Sequence, residues 1–394
     1  MIQRNEIWKI YGTEYRKMTK TLLEAAGLAG IIEAASARDG GREGADESGR
    51  RNEIRIGIKP NLVTPAPADF GGTTHPEVVA GIIEYLRERG FGNLLIAEGS
   101  WVGDRTSEAY EICGYRDLCE RYDVPFIDTQ EEHSHEVNCA GMKLSVTDVT
   151  DRVDFWINVP VLKGHCQTKM TCALKNWKGL IPNKEKRRFH TMGLHKPIAH
   201  LQKAIRQDFI VVDHICGDLD FEEGGNPVVR NCIMAALDPV LTDSYACRLL
   251  HYTPDDVPYV RIAEALGIGS ADLGKAEILR ISAGGDKEVL PKDALDEELP
   301  GERRILEVSY AVDEVDSCSA CYGSLTGALW RLEREGLLKK LNTRIGIGQG
   351  MRGKTGVLGI GRCTKDFDFC IMGCPPDEDT IYRELRRYIE TANG

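Results

Sequence analysis

No run of roughly 18 or more apolar residues occurs in the 394-residue chain, so nothing in it reads as a transmembrane helix. The opening residues, MIQRNEIWKIYGTEYRK, lack an apolar h-region and a small-residue cleavage site, and the cytoplasm is the expected location. No long-period repeat is present, which excludes a solenoid. Basic residues are outnumbered, 50 Lys and Arg against 61 Asp and Glu, and the net charge of −11 argues against nucleic-acid or membrane binding by the surface as a whole. Cysteine, by contrast, is plentiful. Thirteen in a chain without a secretory signal point to metal ligation, redox chemistry or plain burial, and an odd number suits full disulfide pairing poorly.

Strands and helices alternate along most of the length. A helix is expected from Glu6 to Ile32, followed by a solvated insertion over 36–52 that is rich in Gly, Ser, Ala and charge. The runs IRIGIK, NLLIAEGS, FWINVPVLK and FIVVDHICG read as strands separated by helical segments such as the one opening at Pro76. That pattern predicts an α/β fold: a mostly parallel sheet with helices on both faces, occupying 1–300. A break near Leu299-Pro300-Gly301 starts a small cysteine-rich α/β domain over 301–394, in which RRILEVSYAV reads as a strand and Leu325 to Leu341 as a helix. In parallel sheets the ligand crevice lies beyond the carboxyl ends of the strands. Lys59, Asn61, Glu98, Lys163 and Asp213 all fall at or just past such ends, which makes them candidate substrate-binding residues.

The C-terminal domain contains Cys318-Ser-Ala-Cys321, then Cys363, Cys370 and Cys374-Pro375. A C-x-x-C pair lets two thiolates hold one centre, and a terminal Cys-Pro is found in ferredoxin-type runs. Structural zinc prefers a second C-x-x-C pair or nearby histidines, and neither is present. A four-iron, four-sulfide cluster is the leading expectation, zinc and unliganded thiols the alternatives. The expected ligands are Cys318, Cys321, Cys363 and Cys374, with Cys370 as an alternative. Nearby, Gly348 to Thr355 fits the phosphate-binding pattern G-x-x-x-x-G-K-[ST], but the Gly-rich TGVLGIGRC that follows promises no helix, and nucleotide binding is not expected.

One segment reverses the acidic balance. From Lys163 to Arg206 stand eight Lys, three Arg and four His against Glu185 alone. The run KEKRR reads as a solvated loop. Lys163, His165, Lys175 and Asn176 flank a strand end, where lysine suits a carboxylate or phosphate and histidine suits proton transfer. His190 joins them as a binding candidate, and His165, His190 and Asp213 form an alternative metal-ligand set.

The stretches IKPNLV, THPEVVAGIIEYLRERGF, VPVLKGHCQTKMTCALKNWKGLIP and DPVLTD, with CSACYGSL, GIGRC and GCPP towards the end, resemble the domain-of-unknown-function 362 family of iron–sulfur-associated proteins. The resemblance runs from about Glu6 to the end and implies an α/β domain with a four-iron cluster, but no settled activity. Cys166 and Cys172 depart from the pattern, inside the K-x-H segment. The function expected from all this is an iron–sulfur oxidoreductase acting on a small anionic substrate. His165, Lys163 and Lys175 would be catalytic, and a redox partner protein would exchange electrons with the cluster. A non-catalytic electron carrier or scaffold, and a non-redox metal enzyme with a structural C-terminal metal, are the competing readings.

Overall fold

A computed structural model describes residues 1–38, 51–222, 226–291 and 304–392. Of the expected insertion, 39–50 lie outside the described residues, as does the expected domain boundary at 300–301. Strands rich in Ile, Val, Leu and Phe assemble a nine-stranded sheet. Its order is Lys287–Val289, Glu277–Ile281, Glu6–Tyr11, Pro227–Ala236, Phe209–Asp218, Phe155–Asn158, Ile56–Lys59, Leu94–Glu98, Phe126–Asp128. Five of its eight strand pairings are parallel, and the four strands from Phe155–Asn158 to Phe126–Asp128 are parallel throughout, so their carboxyl ends emerge along one edge.

Both faces of the sheet are covered, and the central strands show why. Along Phe209–Asp218, Phe209 and Val211 enter one core while Ile210 and Val212 enter the other, so an unbroken apolar run buries alternate residues on opposite sides. Helices Tyr15–Ala26 and Pro76–Glu88 cover the first face through Leu22, Leu23, Val79 and Ile83. Pro239–Leu249 and Pro258–Ala265 cover the second through Leu241, Tyr245 and Val260.

A second, four-stranded parallel sheet runs Val312–Glu314, Ile345–Ile347, Leu358–Ile360, Phe369–Ile371. Helix Ser319–Arg334 contributes Leu325, Leu329 and Leu332 to its own core, and helix Glu378–Ala392 contributes Ile381, Leu385 and Ile389. Phe221, from the loop after strand Phe209–Asp218, reaches into this core and meets Tyr322 edge-on at 5.5 Å. Among the described residues no helix is long and apolar enough to cross a membrane.

Several local expectations are corrected. Glu6–Tyr11 is a strand, because its alternation of apolar and polar side chains is satisfied between two neighbours in the sheet, and the helix begins only at Tyr15. KEKRR lies within helix Asn183–Met192, where Phe189 supplies the buried side. RRILEVSYAV opens as helix Arg304–Val308 and becomes strand only at Val312. The helix expected from Leu325 begins instead at Ser319, which puts the C-x-x-C pair at its N-terminus.

Candidate functional site

The parallel edge of the large sheet carries a connected set of buried polar groups. Lys59, the last residue of its strand, is fully buried and lies against the Glu98 carboxylate at the end of the next strand. Burial, then the charges of Lys186 and Lys163, push the Lys59 ammonium well below its ordinary value. Asn61 and Asn176 tie two segments together: Asn61 Nδ2 donates to Asn176 Oδ1 at 3.0 Å, and Asn176 Nδ2 donates to Asn158 Oδ1 at 2.7 Å and Lys59 O at 3.2 Å. The short helix Ala173–Asn176 that presents Asn176 is held by Asp243, which accepts the backbone N–H groups of Ala173 and Leu174 at 2.7 and 3.2 Å. Gly179 is required nearby, because a Cβ there would come within 2.5 Å of Glu98 Oε2 and of Lys59 Nζ.

A second hub is Glu222, which sequence reasoning missed. Lys163 and His165 stand two apart on strand Lys163–His165 and so share a side of it. Lys163 Nζ donates to the Glu222 carbonyl at 2.9 Å and to Asn61 Oδ1 at 3.3 Å. His165 Nδ1 accepts two backbone N–H groups, from Gln167 and Thr168, each at 3.1 Å. The ring proton therefore sits on Nε2, 3.1 Å from Glu222 Oε2. Burial, helped by Lys175, pushes His165 down to about 3, so the imidazole is neutral and donates through Nε2. Lys175 Nζ pairs with the other carboxylate oxygen of Glu222 and donates to Thr171 Oγ1 at 3.0 Å. Burial alone would push the Glu222 carboxyl up, but Lys175 and His165 hold it well below its ordinary value. Gly164 allows the Glu222 loop to approach, since a Cβ there would fall 2.4 Å from Leu219 O.

These groups border a cavity of about 480 Å³. Its charged wall has five cations, Lys175, Lys178, Lys186, Arg187 and Arg352, against two carboxylates, Glu98 and Glu222. A protein of net charge −11 thus encloses a positive cavity, which is the arrangement expected for an anionic ligand. Burial first, with Lys175 second for Lys178, pushes Lys178 and Lys186 down to about 7. Lys186 is spent on structure, donating to Gly99 O at 2.9 Å and Ser100 O at 2.8 Å. Trp101, Ser100 and the exposed His190 also line it.

The sequence-derived candidates divide here. His165, Lys175, Asn176, Asn61, Glu98 and His190 line the cavity. Lys59 and Lys163 do not; they stand behind the wall, bonded to Glu98 and Asn61 respectively. Asp213 is elsewhere. Its strand continues to Asp218, and its carboxylate receives the His75 backbone N–H at 2.7 Å and lies 2.8 Å from His75 Nδ1. His165, His190 and Asp213 are therefore not assembled into a metal site.

The far wall of the cavity belongs to the small domain: Cys318, Ser319, Ala320, Gln349 and Arg352. Cys318 is the N-cap of helix Ser319–Arg334, Cys321 lies in its first turn, and Cys363 follows strand Leu358–Ile360 in the turn Arg362–Thr364. Among the described residues none of the five C-terminal cysteines is in a disulfide. Burial and then the sulfurs of Cys318, Cys363, Cys374 and Cys370, in that order, push Cys321 up to about 12. Cys370 turns its thiol to Gly361 O at 3.4 Å. Among the described residues no three His, Cys, Asp or Glu side chains converge as a single ion would require. Cys318, Cys321, Cys363, Cys370 and Cys374 offer sulfur donors alone, the donor type that iron–sulfur groups use. Gly361 leaves room within the set, where a Cβ would stand 3.2 Å from Cys321 Sγ. Gln349 Nε2 donates to Cys318 Sγ at 3.3 Å, and the Arg352 guanidinium is raised by a hydrogen bond with Cys363 and by the charges of Cys318 and Cys374. Both residues come from the stretch with the phosphate-loop pattern, which has strand Ile345–Ile347 before it and strand Leu358–Ile360, not a helix, after it. Cys166 Sγ lies 3.1 Å from Ser317 O at the seam between the two sheets' domains, whereas Cys172 is fully buried beside Asp243.

Comparison with known proteins adds a family and a relative. A family model described as "Domain of unknown function (DUF362)" matches residues 56–248. The chain is also 27% identical over 225 residues to a thylakoid-associated protein from Synechocystis sp., covering 54% of this chain and 68% of that one.

Proposed function

Because the chain belongs to the DUF362 family through residues 56–248, we propose that it unites that domain with an iron–sulfur centre to act as an oxidoreductase on a small anionic substrate. Cys318, Cys321, Cys363 and Cys374 would hold a four-iron cluster. The observation carrying this reading is that cavity and cysteine group share a wall: Cys318 lines the cavity, and Gln349, which lines it too, donates to Cys318 Sγ at 3.3 Å.

When bound, such a cluster supplies or accepts single electrons. The remaining work falls to side chains. Lys178, Arg187 and Arg352 attract the anion, and Lys175, held by Glu222, adds charge at the cavity floor. His165 Nε2–H and the Glu222 carboxylate form a proton-holding pair at the wall, with Lys175 on the second carboxylate oxygen. Lys59 and Lys163 position Glu98 and Asn61 from behind. Ser100, Trp101 and Thr171 complete a wall that limits the ligand to a small molecule.

The test is anaerobic purification with iron and sulfide analysis, followed by titration with glutarate as a model dianion. About four iron per chain, and glutarate binding that weakens in Arg352→Gln, support the proposal. Iron-free anaerobic protein, or glutarate binding indifferent to Arg352, counts against it.

A further inference from the structure

Three lysines line the cavity, and their surroundings differ. Lys175 is committed to Glu222 and Thr171. Lys186 donates to two backbone carbonyls. Lys178 makes no hydrogen bond or ion pair among the described residues, although it is half-buried on the cavity wall. Its backbone is in the turn Trp177–Leu180, fixed by the fully buried Trp177 and Leu180 and by the close packing of Gly179 on Lys59 and Glu98. The side chain therefore stands on the cavity wall with no hydrogen-bonding partner among the described residues.

We propose that Lys178 is a nucleophilic amine that captures the carbonyl carbon of a 2-oxo acid as an imine, the acid's carboxylates being held by the neighbouring cations. This rests on reading the cavity as an anion site and is independent of the cluster. Two further observations support it. Lys178 is pushed down to about 7 by burial and then by the Lys175 charge, so a large share of it is free amine near neutral pH, as in lysine nucleophiles activated by desolvation and a neighbouring cation. His190, also on the cavity wall, is pushed down to about 4 by burial and then by Lys178, and its neutral ring can carry a proton between amine and carbonyl oxygen.

The step balances without an oxidant or reductant. The amine nitrogen forms a bond to the carbonyl carbon while the carbonyl π pair moves to oxygen, which takes up a proton. The resulting carbinolamine expels that oxygen as water, carrying away both amine hydrogens, and leaves a carbon–nitrogen double bond to Lys178. A carboxylate-bearing carbonyl compound is selected because the charged wall binds carboxylate and because the adjacent carboxylate activates the carbonyl.

The experiment incubates the intact protein with 2-oxoglutarate and sodium cyanoborohydride, which reduces an imine to a stable secondary amine, and maps the adduct by peptide mass spectrometry. Glutarate binding is measured alongside by calorimetry; glutarate has the carboxylates but no carbonyl. The expected result is one adduct per chain on Lys178, suppressed by glutarate and reduced on the order of tenfold or more in Lys178→Arg. Glutarate competition keeps the test decisive should that variant fold poorly. If glutarate binds but no adduct forms, or the adduct lies on another lysine, the imine proposal is overturned and the anion site stands. If neither acid binds, both are overturned.

Discussion

Replacing Glu222 with Gln separates fold stability from ligand affinity. Glu222 is the counter-charge of Lys175, whose side chain is 2% exposed, and it accepts the His165 Nε2–H. Removing one partner of a buried pair costs about 3–5 kcal/mol, because the remaining charge loses its compensation. Gln keeps the shape and one acceptor oxygen, and the Glu222 side chain is 15% exposed, so the cost falls to about 2–3 kcal/mol. The same change removes a carboxylate from the cavity wall. At an effective dielectric of about 20 and a separation on the order of 6 Å, that carboxylate repels a bound anionic charge by about 3 kcal/mol. Glu222→Gln is therefore expected to unfold at lower urea concentration than the parent, yet bind glutarate at least about tenfold more tightly. Glutarate at about 100 times its dissociation constant returns about 2.7 kcal/mol and so offsets most of the loss. A variant as stable as the parent, or one that binds glutarate more weakly, refutes the assignment of Glu222 as counter-charge and wall.

Alanine at Cys318, Cys321, Cys363 or Cys374 should each abolish iron loading under anaerobic reconstitution, whereas Cys370→Ala, whose thiol already serves Gly361 O, should retain it. Gly179→Ala should lower stability by about 1–3 kcal/mol in denaturant unfolding, because its Cβ would intrude on both Lys59 and Glu98. Glutarate affinity should fall by about tenfold between roughly pH 6 and 8: Lys178 and Lys186 carry charge below about 7 and lose it as pH rises through that value. Calorimetry at several pH values checks this, and a flat profile sinks it.

Much of the fold was legible because strands such as Ile56–Lys59 and Leu94–Glu98 are short apolar runs bounded by polar turns, and Asn61 and Glu98 at their ends line the cavity. Errors arose where local pattern and tertiary partner disagree. Glu6–Tyr11 was absorbed into the helical periodicity that follows it, since only its neighbours in the sheet define it as a strand. Asp213 follows the apolar run Phe209–Val212, yet the strand continues past it in pairing with Pro227–Ala236. Glu222 was invisible: it sits in an acidic loop, and only the anchoring of Phe221 in the small domain's core turns it inward. Arg352 sits within a phosphate-loop pattern that lacks its helix, although the same loop borders the cavity and reaches Cys318 through Gln349.

The central claim, that cavity and cysteine group form one site, is tested most directly by electron paramagnetic resonance of the anaerobically reduced protein with and without saturating glutarate. The account predicts a cluster signal whose line shape changes on glutarate addition, with the change lost in Arg352→Gln. A protein that saturates with glutarate while its cluster signal stays identical, or that shows no cluster signal at all, would contradict it.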